Sequence, residues 1–225
     1  MASTIVVDKI KKTGGVAFEL PIADGLAGQL LKTDGSQGLG WATDADTTHD
    51  ATVGLQTIWV PALAMVSPTT NGAEAAAVET TAVRPEMKVL DFDSSTIEYA
   101  QFSIAMPKSW NEGTVTAKFY WTHATAVATD VIWGIQGVVV SDNDTIDIAY
   151  GTAVTVTDTF HNAAEDLAIT AATSAMTLAG TPAEDDLAYF QVYRAATTGG
   201  DTTNSTDARL LGVKILFTTN AENDA

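Results

Sequence analysis

Residues 113–121 place Val115, Ala117, Phe119 and Trp121 on one side of an extended chain, and Thr114, Thr116 and Lys118 on the other. Successive strand side chains point to opposite faces, so this is the pattern of a half-buried antiparallel strand. The pattern recurs. Leu211, Val213, Ile215 and Phe217 take every second position in 210–218, with Lys214 and Thr218 opposite; Ala188, Phe190 and Val192 alternate with Tyr189, Gln191 and Tyr193 in 187–194; Ala100, Phe102, Ile104 and Met106 share one side of 97–106. Residues 131–140 differ in being apolar on both faces, which predicts either a central strand covered on both sides or a strand at a subunit interface. Turn residues fill 109–113 and 141–144, and a short helix is expected only near 162–166. Many strands, little helix and Gly/Asp turns predict an all-β protein whose main domain is an antiparallel β-sandwich, jelly-roll-like.

The sandwich does not extend to the N-terminus. Residues 1–41 hold only short apolar bursts, separated by turn signals at Thr13-Gly14-Gly15, Ala23-Asp24-Gly25 and Thr33-Asp34-Gly35. So short a stretch cannot bury a core alone and needs copies of itself or another surface to cover its strands. Residues 42–55 are polar and read as a linker, leaving 56–225 as the head domain. Charge follows the same division. Lys9, Lys11, Lys12 and Lys32 balance Asp8, Glu19, Asp24 and Asp34, so the net charge of -17 lies wholly beyond residue 41. A body with that field repels phosphate, which argues against nucleic acid and anionic membranes as partners. No secretory leader or apolar run of about 18 residues is present, so the expectation is a soluble product of a cytoplasm, without membrane insertion.

The motifs of common chemistries are missing. Cysteine is absent, and His49, His123 and His161 fall in no metal-ligand spacing. Gly35, Gly38 and Gly40 match a dinucleotide loop in neither spacing nor context. No nucleophile elbow or phosphate loop occurs. The expectation is a protein that is not an enzyme and uses no cofactor. In 142–147 (Asp142, Asn143, Asp144, Thr145, Ile146, Asp147) apolar and acidic residues occupy positions that an EF-hand reserves for oxygen ligands and glycine. The loop reads as a solvated hairpin turn, with an irregular calcium site as the alternative. Trp59, Trp121 and Trp133 sit in strand patterns and are expected in the core or an interface. Trp110 sits in a turn, either as a lid over a sandwich end or as a surface-binding aromatic.

Residues Leu20-Pro21, Asp24-Gly25, Gly28-Gln29, Leu31, Thr33-Asp34-Gly35, Leu39 and Trp41 follow the order LPxxDGxxGQxLxTDGxxxLxW. Taken over residues 14–41, about an eighth of the chain, this resembles a segment of phage tail-fibre and other virion fibre-type proteins. Residues 56–219, with Met106-Pro107-Lys108-Ser109-Trp110 and Phe190-Gln191-Val192-Tyr193-Arg194, look like a jelly-roll domain of phages and prophages. The resemblance implies a structural protein of a bacteriophage virion, a homotrimeric fibre or spike. Its N-terminal segment would anchor it to other virion proteins, capsid or tail, and its head would face a host-surface receptor. Ile5, Val6, Val7 and Ile10 would supply a docking strand, and Leu20, Leu30, Leu31, Leu39 and Trp41 a shared trimer interior. The alternative is a capsid decoration or cement protein that binds the shell through the sandwich.

Overall fold

The computed structural model of the chain describes residues 9–11, 13–23, 25–27, 29–43, 54–126, 128–161, 163–201 and 206–220. The chain divides into two compact units, Met1–Ala51 and Thr52–Ala225.

The N-terminal unit contains two antiparallel hairpins. Strand β1 (Lys9–Lys11) pairs with β2 (Ala17–Glu19), and β3 (Gln29–Thr33) pairs with β4 (Leu39–Thr43). A parallel bridge between Glu19 and Gly38 links them. The turn at Thr33-Asp34-Gly35 forms for a local reason: the Asp34 carboxylate accepts hydrogen bonds from the Ser36 and Gly38 amides at 2.7 and 2.9 Å, and Gly35 takes φ 81, which costs glycine little. The expected linker, 42–55, begins inside β4 and ends on the first residue of the next strand, Leu55. Residues 44–53, with His49, lie outside the described residues.

The C-terminal unit is an antiparallel, jelly-roll-like β-sandwich. Its strands are β5 (Leu55–Pro61), β6 (Glu74–Glu79), β7 (Glu86–Phe92), β8 (Tyr99–Ala105), β9 (Thr116–His123), β10 (Asp130–Val140), β11 (Val154–Thr159), β12 (Ala168–Ile169), β13 (Leu187–Arg194) and β14 (Ala208–Thr218). One sheet has the order β11-β10-β13-β8. The other runs β12-β9-β14-β7-β6, with β5 also on β14. The edge of β14 opposite β9 is shared: Ala208–Leu210 pair with β7, and Gly212–Thr218 pair with β5. Two connections cross between the sheets and close the sides. Residues 66–72 bridge to β8 after β5, and 170–179 pass from β9 to the free edge of β10.

The predicted strands form, and their apolar sides fill the space between the sheets. Trp133 of β10 stacks on Phe119 of β9 at 5.3 Å and meets Phe92 of β7 and Trp121 of β9 edge-on at 5.2 and 6.1 Å. The doubly apolar stretch 131–140 is an interior strand, flanked by β11 and β13. Its outward Ile132, Val138 and Val140 are buried within the one chain, and Val138 bridges to Ala179.

Two expectations are corrected. The alternation in β14 does not begin at Leu211: Ala208 and Leu210 are buried, then Val213, Ile215 and Phe217. A bulge between Leu210 and Gly212 inserts one residue and moves Leu211 out of the inward series. Residues 163–166 form a turn, not a helix. The Glu165 amide donates to the His123 carbonyl at 2.8 Å, and Glu165 takes φ 63, so the chain reverses before a helical turn closes.

One buried ion pair ties both sheets to a loop. Arg194 at the end of β13 makes two bonds to Asp201, at 2.8 and 3.0 Å. It also donates to the carbonyls of Phe92 and Thr206 at 3.2 and 3.1 Å, while Asp201 accepts the Ile132 amide at 3.2 Å. Both side chains are fully buried. Removing one member strands a charge in the interior, so Arg194→Ala is expected to lower stability by about 3–5 kcal/mol. The double replacement Arg194→Met with Asp201→Leu is expected to lose less than the two single changes summed. Denaturant unfolding of the three variants checks both figures.

Candidate attachment and recognition surfaces

The N-terminal unit leaves its apolar residues uncovered. Ile10 and Leu30 are each 55% exposed, Leu31 44% and Trp41 41%; Leu20 and Leu39 are half-buried. Ile5, Val6 and Val7 lie outside the described residues. Trp41 is held in place rather than loose. Its indole N–H donates to the Ala23 carbonyl at 2.6 Å, and its ring lies against Gly25, where an added Cβ would come within 2.5 Å. The conformation that exposes these side chains is thus specified by hydrogen bonds and by a glycine that permits close approach. Lys9 and Glu19 pair at 2.7 Å across β1 and β2, and this neighbour holds the Glu19 carboxyl below its usual range.

On the head, Trp110 is 2% exposed and belongs to the core. Its turn is fastened to the end of β14, with the Asn111 amide donating to the Thr218 carbonyl at 3.0 Å and a bridge between Trp110 and Thr219. It closes a sandwich end and presents no ring at the surface for a ligand, contrary to the surface-binding expectation. Trp59 lies outside the core, which leaves the interface half of its expectation. Its ring lies across Gly212 on the outside of the six-stranded sheet, 46% exposed. It meets Tyr120 edge-on at 5.0 Å. Trp121 and Trp133 are core residues, as expected.

The outer face of the four-stranded sheet has a character that sequence reasoning missed. Register aligns residues of neighbouring strands in rows: Tyr99, Tyr193, Gly134 and Thr155; then Gln101, Gln191 and Gln136; then Ser103, Tyr189 and Val138. Gln136 donates to Gln191 at 2.6 Å. The Tyr193 ring lies where a Gly134 side chain would be, tilted against Tyr99 at 5.8 Å. Burial, and then the neighbouring phenol, raise Tyr193 beside Tyr99 and Tyr150 beside Tyr189. At the edge of this sheet is a cleft of about 350 Å³ lined by Gly151, Thr152, Val154, Thr177 and Leu178 among others. These three rows and the cleft lining contain no charged residue, in a chain of net charge -17.

Charge collects elsewhere. Burial raises Asp91 and Glu98, with Asp207 and Glu74 adding repulsion at both, and Arg209 offsets part of it at Asp91. The loop with Asp142, Asp144 and Asp147 is exposed. Its bonds are local, such as the Asp147 amide to Thr145 Oγ1 at 3.2 Å, so the solvated-turn reading describes it. Among the described residues, no three His, Asp or Glu side chains are grouped to hold a metal.

No protein-family model matches the chain, and no curated protein matches its sequence. Solved structures similar to it include the CBM36-1 domain of a multidomain xylanase from the hindgut metagenome of Trinervitermes trinervoides. The identity is 9% and the TM-score 0.38, over 71% of this chain and 96% of that one. The family 11 carbohydrate-binding module of Clostridium thermocellum follows at 8% and 0.35, over 76% and 91%. The structure of infectious bursal disease virus, Gx strain, is similar at 9% and 0.36, over 92% of this chain and 40% of that one. At TM-scores below 0.5 these likenesses say nothing of what this chain binds.

His123, at the end of β9, is buried against Phe160 at 5.3 Å. Burial, chiefly, pushes it below the ordinary value of 6.5, and Arg194 and Arg209 add to the effect. The unfolded chain therefore takes up a proton at a pH where the folded chain does not. Stability present above the ordinary imidazole value is lost as pH falls below it. Denaturant midpoints at about pH 8 and about pH 5.5 are expected to differ more in the wild type than in His123→Gln. Equal differences would contradict this assignment.

Proposed function

We propose that the chain is a non-catalytic structural component of a bacteriophage virion, a short homotrimeric fibre or spike. It is made in the host cytoplasm, anchored to other virion proteins by its N-terminal unit, and displays the sandwich outward toward the host surface. The observation that carries the reading is the exposure of Ile10, Leu30, Leu31 and Trp41 in a unit whose turns are locally specified. Apolar side chains held outward on short strands are stabilised by burial against another protein, at roughly 25 cal/mol per Å². Edge strands can also add to a neighbouring sheet. Mixed charges summing to zero let residues 1–41 approach a partner without desolvating unpaired carboxylates, which the acidic head could not avoid. The order of glycines, leucines and Trp41 shared with virion fibre-type segments supports the same placement.

Particles assembled with a chain lacking residues 2–41 are expected to carry little or none of the head, measured by quantitative mass spectrometry of purified virions. Wild-type amounts would overturn attachment through this unit and favour a cement protein bound by its sandwich.

A further inference from the structure

We infer that the outer face of the four-stranded sheet is a binding surface for a neutral glycan, with Tyr189 and Tyr193 as stacking platforms and the glutamine row between them as the reader of sugar hydroxyls. The inference extends the proposed function to what the displayed head contacts, and it does not require that the N-terminal unit be the anchor.

The glutamine row is the first support. Gln101, Gln191 and Gln136 stand directly opposite one another on β8, β13 and β10. Strands lie about 4.8 Å apart, so three amides span roughly 10 Å across the sheet. A carboxamide offers both donors and acceptors, as a sugar hydroxyl does. The bond from Gln136 to Gln191 engages one donor and one acceptor. The Gln136 carbonyl and the Gln191 amide group keep capacity for a ligand.

The aromatic rows flank it. Tyr189 and Tyr193 lie on the same strand face on either side of Gln191, about 13 Å apart along the strand. Tyr193 has Tyr99 as an aromatic neighbour at 5.8 Å, and Gly134 opens the space that Tyr193 fills. Tyrosine presents a broad apolar ring with only two rotatable side-chain angles, so little conformational freedom is lost when a sugar ring settles on it.

Charge decides the ligand class. The three rows carry no Lys, Arg, Asp or Glu, although the chain's net -17 lies wholly beyond residue 41 and most of it in the head. An anionic ligand would find no cation there and would be repelled by the surrounding field, while a cationic one would find no carboxylate on the face. An uncharged polyhydroxylated molecule meets neither penalty, and Ser103, Thr155 and the Thr152-lined cleft extend the same chemistry to the sheet edge. A protein partner fits less well. Val66, bridged opposite Gln101 at the sheet edge, is the large exposed apolar side chain aligned with these rows, and one aliphatic residue at an edge is less than the buried anchors at the centre of a protein interface.

The test uses the full chain, with short oligosaccharides of glucose, galactose, mannose and N-acetylglucosamine as neutral probes and oligomers of galacturonic and sialic acid as acidic ones, in a titration of each. At least one neutral probe is expected to bind, and the acidic probes more weakly. Tyr189→Ala is expected to weaken binding by at least about tenfold. Ser103→Glu adds a charge at an exposed position opposite Tyr189 without removing packing, and should weaken it comparably. Trp59→Ala, on the other sheet, should leave it unchanged. Absence of binding by every neutral probe would overturn the inference, as would stronger binding of the acidic probes or full affinity in both face variants. A change of sedimented mass in the face variants would also overturn it, since the surface would then be a protein contact. None of these outcomes bears on whether residues 2–41 hold the protein on a particle.

Discussion

The Arg194–Asp201 pair and the aromatic cluster around Trp133 hold the two sheets of the head to each other, and the usable surfaces depend on that clamp. Arg194 starts from one sheet and reaches a carbonyl on the other, while its carboxylate partner holds the backbone of β10. Every donor named for the guanidinium meets an acceptor, which is the condition under which a buried ion pair is tolerated. Trp133 supplies the apolar counterpart, touching three aromatic rings of the facing sheet. With cohesion concentrated between the sheets, the outer face of the four-stranded sheet need not be apolar. Rows of tyrosine and glutamine can lie on it at fixed spacing because the strands beneath are rigid.

The two units meet the need to bury apolar surface differently. The head, at about 170 residues, has room for a core of its own, and its large aromatic side chains are mostly inside. The N-terminal unit has two hairpins and holds Leu30, Leu31 and Trp41 outward. Its order comes from the Asp34 turn and the Trp41–Gly25 contact. Its remaining apolar area stays exposed in the single chain, and the charges of residues 1–41 balance.

Much of this was legible in the sequence, for a definite reason. Alternation at period two reports which side of a strand is buried, so β8, β9 and β13 and their inward residues could be read directly. The doubly apolar run 131–140 announced a strand with cover on both sides, which β10 is. What could not be read depends on neighbours distant in sequence. The bulge at Leu210–Gly212 arises from the pairing of β14 with β9. Trp110 is buried because its turn is fastened to the end of β14, far along the chain. Trp59 is exposed because Gly212 gives its ring a place to lie on the outside. The glutamine row exists only once β8, β13 and β10 stand side by side in one register. Alternation placed Gln191 between Tyr189 and Tyr193, and nothing local said that Gln101 and Gln136 would join it.

The central claim is that the N-terminal unit is made for contact with other chains, its own copies first. Sedimentation equilibrium of the full chain at micromolar concentration measures this most directly, since it reads mass independently of shape. The account predicts three copies of the 23.5 kDa chain. A mass of one chain, with the N-terminal unit intact, would contradict it.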